Sequence, residues 1–125
     1  MIKNPKLLIR LITNFIVVRL KKLYIDTLLA VGFEENFYLF NLISQENLCS
    51  LSLSWYFGHL YFEKNFFYVA DASGLTCINL EGKTIWRNDE LGIDGVSISH
   101  FTEDKIYGWG EFDPPGGWEG RVCPK

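Results

Sequence analysis

The sequence predicts a mainly β protein, built of short antiparallel meanders that repeat. Three observations carry this. A short pattern recurs at Leu23-Tyr24-Ile25-Asp26, Leu60-Tyr61-Phe62-Glu63 and Phe101-Thr102-Glu103-Asp104, at offsets of 37 and 41 residues. Self-similarity on that scale marks architectures in which one unit cannot bury its apolar face alone. The 125 residues are 48% hydrophobic and 16% aromatic, enough for a packed core and too apolar for disorder. Runs of β-branched and aromatic residues alternate with Gly, Asn, Asp and Ser turn signals.

The chain divides into a basic amphipathic segment, 1–22, and a β-repeat domain, 23–125. The first carries Lys3, Lys6, Arg10, Arg19, Lys21 and Lys22 and no acid. Asn4-Pro5 reads as a helix start, since Asn caps free amides and Pro suits the first turn. Leu7, Leu8, Leu11, Ile12 and Phe15 then share a face opposite positions 3, 6, 10, 13 and 14. Phe15-Ile16-Val17-Val18 favours a strand, and a strand throughout is the alternative. Arg10 interrupts the apolar core that a secretory signal needs. The uncharged run Leu11–Val18 is far shorter than the roughly 18–20 residues of a membrane span. The segment is expected to pack on the acidic body, with a membrane-surface helix as the alternative.

In the first copy, Leu28–Val31 precedes a turn region at Gly32–Asn36 and a strand at Phe37–Leu42. In the second, the strand Phe66–Ala70 meets the turn Asp71–Gly74, where Gly is free to adopt positive φ. Leu75–Leu80 returns, Glu81-Gly82 turns again, and Lys83–Trp86 begins another strand. The third opens with Lys105–Trp109 and breaks into Asp113-Pro114-Pro115-Gly116-Gly117-Trp118.

The second copy resembles a β-propeller blade of the pyrroloquinoline-quinone (PQQ) type, whose docking pattern is Ala-x-Asp-x-x-Thr-Gly-x-x-x-Trp. Cys77 takes the Ala place, Asn79 the Asp place, Gly82 the Gly place and Trp86 the Trp place. The turn between Asn79 and Gly82 is one residue short of the pattern. In the first copy Asn41 and Gln45 hold the Asp and Gly places, Cys49 stands where Trp would be, and the third copy has no docking segment. The resemblance spans about residues 23–118 and implies a partial β-propeller-like structure in which Trp86 packs between neighbouring units. Two and a half copies are fewer than the four or more that close a propeller ring.

Little chemistry stands out. His59 and His100, 41 residues apart, read as equivalent repeat positions and therefore as structural. Cys49, Cys77 and Cys123 show no CxxC pairing and read as reduced thiols. The glycines at 108, 110, 116, 117 and 120 form no phosphate-binding loop. No catalytic residue, metal site or cofactor is expected. Residues 23–125 hold six basic and fifteen acidic side chains, a net −9 that does not suit nucleic acid. The binding candidates are Trp109, Glu111, Phe112, Asp113, Pro114, Pro115 and Trp118, a stiff loop with aromatic anchors. The expected function is a non-catalytic, cytoplasmic protein-interaction module, such as an inhibitor or immunity-type protein, for a basic partner. Self-association through open strand edges is a further expectation. The alternatives are a remnant or subunit of a quinoprotein-like dehydrogenase, and a membrane-peripheral protein held by its basic segment.

Overall fold

The structure is a computed structural model, and it describes residues 21–112 and 114–122. Eleven strands form three antiparallel sheets among these residues, each a simple meander. Sheet one holds β1 (Lys21–Ile25), β2 (Leu28–Phe33), β3 (Asn36–Asn41) and β4 (Asn47–Ser52). Sheet two holds β5 (Phe57–Glu63), β6 (Phe66–Asp71), β7 (Leu75–Asn79) and β8 (Thr84–Asn88). Sheet three has only β9 (Val96–Phe101), β10 (Lys105–Gly110) and β11 (Gly116–Arg121). The sheets are open and do not close into a barrel. No described helix is long and apolar enough to cross a membrane.

Strand parity explains the stacking. Side chains alternate between faces along a strand, so β6 sends Phe67 and Val69 one way and Tyr68 and Ala70 the other. The first pair joins Leu28, Ala30, Phe37 and Leu39 in a core between sheets one and two. The second pair joins Leu75, Cys77, Leu91, Val96 and Ile106 in a core between sheets two and three. Sheet two is thus buried on both faces, and that is why β6 reads as the unbroken run Phe-Phe-Tyr-Val-Ala rather than as an alternation.

The repeat is more regular than its sequence pattern. The first hairpins pair Ile25 with Leu28, Glu63 with Phe66, and Thr102 with Lys105. Their leading residues are spaced 38 and then 39 apart. Aligned this way, His100 opposes Tyr107 as Tyr61 opposes Tyr68, whereas His59 opposes Ala70. His59 and His100 are therefore not equivalent, contrary to expectation.

The places named for the first two copies do coincide. Leu39 opposes Cys49 and Cys77 opposes Trp86, each beside a register shift at the same point. Asn41 Oδ1 accepts from the amides of Ile43 and Ser44, and Asn79 Oδ1 from those of Glu81 and Lys83. Gln45 and Gly82 both adopt positive φ, 60° and 86°. Gly82 also lies against the Leu48 carbonyl, so a Cβ there would collide with sheet one.

Two expectations need correction. The turn placed at Gly32–Asn36 is only Glu34-Glu35, because Glu34 takes the left-handed conformation and Gly32 and Phe33 remain in β2. Cys77 is disulfide-bonded, not a reduced thiol, while Cys49 is free. The leader's helix or strand and the residue Cys123 lie outside the described residues.

Candidate functional site

The short connections between sheets gather at one end of the stack. Leu53 N donates to Glu35 O and Phe57 N to Glu34 O, so residues 53–57 lie on the β2–β3 turn. Gly95 N donates to Ala72 O and Leu91 N to Ser73 O, which places the second connection on the β6–β7 turn. Glu111 joins them: its amide donates to Gly95 O, and its carbonyl accepts from the amides of Ile93 and Asp94.

Between these connections lies a cavity of about 220 Å³, lined by Tyr56, His59, Asp94, Ser97, Trp109 and Glu111 among others. Apolar side chains stand exposed on the same segments. Trp55 is 82% exposed, Ile93 67%, Trp109 48% and Phe112 40%. Trp55 also holds a positive φ of 66°, a conformation that costs a bulky residue energy and persists only where surroundings enforce it.

Asp71 is one source of that enforcement. This fully buried carboxylate accepts from Ser54 N at 3.0 Å, fixing the residue before Trp55. It also accepts from Gly74 N at 2.8 Å and Ser73 N at 3.2 Å, and pairs with Arg87 Nη1 at 2.9 Å. Arg87 reaches on to Thr76 Oγ1 at 2.7 Å. The charge taken out of water is thus neutralised and hydrogen-bonded, as burial requires.

The cavity's electrostatics are divided. Tyr56 Oη donates to Asp94 O and Oδ1, and burial, that bond and the charges of Asp94 and Glu111 raise its pKa. At the other side Lys21 Nζ donates to His59 Nδ1 at 3.0 Å. Partial burial first, and then the Lys21 charge, hold His59 below its ordinary value. One wall is anionic and aromatic, and the other a neutral imidazole with a cation behind it.

The sequence candidates separate. Trp109 and Glu111 line the cavity, with Phe112 beside them in the chain. Pro114 and Pro115 are exposed and line no part of it, and Asp113 lies outside the described residues. Trp118 leaves the group altogether: it packs into the core between sheets two and three and covers Gly108. Trp55, Tyr56, Ile93 and Asp94 join the rim without being among the sequence candidates. No residue pattern around Trp55-Tyr56 or Ile93-Asp94 sets them apart in the sequence; the packing of the sheets brings them together. Among the described residues, no group of three or more His, Cys, Asp or Glu could hold a metal ion.

No protein-family model matches the chain, and neither does any curated protein sequence. Among solved structures, the chain is similar in fold to a computationally designed protein, Ika8, with a TM-score of 0.56 and 14% identity. The match covers 70% of this chain and 28% of the designed one.

Proposed function

We propose that this chain is a non-catalytic protein-interaction module whose acidic, aromatic rim receives a basic segment of a partner. The observation that carries the reading is the cavity in which Asp94 and Glu111 stand with Tyr56 and Trp109, beside the exposed Trp55 and Ile93. A cation over an aromatic face gains electrostatic energy, more so when partly desolvated. Exposed aromatic anchors supply contact area around such a point charge. The ligand cation belongs at the Asp94–Glu111 side, away from Lys21. The acidic body would steer a basic partner toward this rim at low salt.

The finer fold reading belongs to the same proposal: the three meanders are propeller-type units related to the PQQ repeat. The matching roles of Asn41 and Asn79, and of Gln45 and Gly82, support it. The cytoplasmic placement rested on reduced thiols, and the bonded Cys77 removes that ground.

The test is titration of intact protein with an arginine- and lysine-rich peptide, followed by tryptophan fluorescence. Binding is expected to weaken steeply with added salt and about tenfold in an Asp94→Asn/Glu111→Gln double variant. Asn at 94 leaves the backbone acceptor of Tyr56 in place. Equal affinity for an acidic peptide, or an unchanged double variant, would sink the reading.

A further inference from the structure

The two interfaces of the stack are built from equivalent positions, and they are filled differently. Phe67 of β6 lies opposite Ile78 of β7, and both are fully buried in the core between sheets one and two. Counted from the hairpins Glu63–Phe66 and Thr102–Lys105, the same places in sheet three are Ile106 and Gly120, which also oppose each other. Ile106 is fully buried in the core between sheets two and three. Its partner contributes no side chain.

The backbone does not impose that glycine. Gly120 has no positive φ, and a Cβ built there would meet no atom within 4 Å. Beside it lies a cavity of about 250 Å³, lined by Leu75, Leu91 and Ile106 and by the indoles of Trp86 and Trp118. Trp118 Nε1–H is buried and has no acceptor. Protein interiors are close-packed and satisfy their buried polar groups. An open space and an unpaired donor in one place depart from that rule twice.

The charge at this cavity is positive, unlike that of the rim. Arg87 and Arg121 both line it, and no carboxylate does among the described residues. Arg87 is already neutralised by Asp71. Arg121 is exposed and has no ion pair among the described residues.

We propose that this cavity is a binding site for a small aromatic carboxylate, its ring held between sheets two and three and its carboxylate on Arg121. The ring fits by size and by kind. An apolar cavity of about 150 Å³ holds benzene, and aromatic pairs gain energy beyond the area they bury. The remaining space suits a short carboxylate arm. A guanidinium matches that group, since its planar fork can donate two parallel bonds. A mostly apolar pocket with few polar groups is the usual form of a small-molecule site. The site is separate from the rim, where Asp94 and Glu111 would repel an anion.

Calorimetric titration of the intact protein with phenylacetate tests this, with phenylacetamide as the uncharged isostere. Phenylacetate is expected to saturate one site and to bind about tenfold more tightly than the amide. Arg121→Gln should remove that difference and leave the amide unchanged. Gly120→Leu should abolish binding of both compounds without lowering the melting temperature, because its Cβ meets no atom within 4 Å. Absence of saturation with phenylacetate would overturn the proposal. So would equal affinity for the two compounds, or binding indifferent to either variant. Should Gly120→Leu fail to fold, NMR of the wild-type complex decides the matter. Phenyl protons close to the indole protons of Trp86 and Trp118 support the site, and their absence there overturns it.

Discussion

At the scale of single residues, Asp71 is the position on which most geometry converges. Its carboxylate serves the β6–β7 turn, the connection carrying Trp55 and the guanidinium of Arg87. Removing one partner of a buried pair strands the other, at a cost of about 3–5 kcal/mol. Asp71→Ala is expected to lose that much in urea unfolding, and Asp71→Asn clearly less, since the amide oxygen can still accept from Ser54 and Gly74. The sequence presented Asp71 only as a turn former; the arginine sixteen residues away gave no sign of belonging to it. His59 supplies a pH test. Its folded pKa lies below 6.5, so the folded state binds fewer protons than the unfolded one. The associated stability is complete above about pH 6.5 and declines as pH falls through the folded value. Wild-type protein should therefore lose more thermal stability between about pH 7 and about pH 5 than His59→Gln does.

At the scale of elements, the paired turns of the first two sheets make a natural comparison. Gln45 and Gly82 occupy the same left-handed position, but only Gly82 adopts it without a side-chain penalty. Gln45→Gly is expected to raise stability by up to about 1 kcal/mol, the left-handed cost being about 1–2 kcal/mol before the added chain entropy. Gly82→Ala should lower it by more than Gln45→Gly gains, because the Cβ also meets the Leu48 carbonyl. Thermal unfolding of both variants checks the pair; opposite signs are the expected result. Strands such as Phe66–Ala70 and Lys105–Trp109 were legible because β-branched and aromatic runs ended at turn residues. Strand β4 was not, since Asn-Leu-Cys-Ser-Leu-Ser has little β signal and is held by its pairing with β3. Strand β11, with Gly116, Gly117 and Gly120, was hidden for the same reason.

At the scale of the whole molecule, the described sheets share cores between neighbours, so stability is approximately a sum over units and interfaces. The Cys77 disulfide adds a covalent restraint on the middle sheet. Reduction is expected to cost about 2–5 kcal/mol in denaturant unfolding, and Cys49→Ser in oxidised protein little by comparison. Equal midpoints with and without reductant would contradict this. The rim was only partly legible because its parts come from three separated stretches, 55–56, 93–94 and 109–112. Residue types announced Trp109 and Glu111, but only the stacking of sheets brings Tyr56 and Asp94 to them.

The coincident irregularities at Leu39/Phe40 and Cys77/Ile78 have a consequence for engineering. A register shift at one position, beside capping asparagines in matching places, makes the first two sheets structural equivalents in which Cys49 and Trp86 hold the same place. Such units are interchangeable parts: tandem genes encoding several copies of residues 57–88, joined by the 89–95 connection, should concatenate into longer stacks with the same pitch.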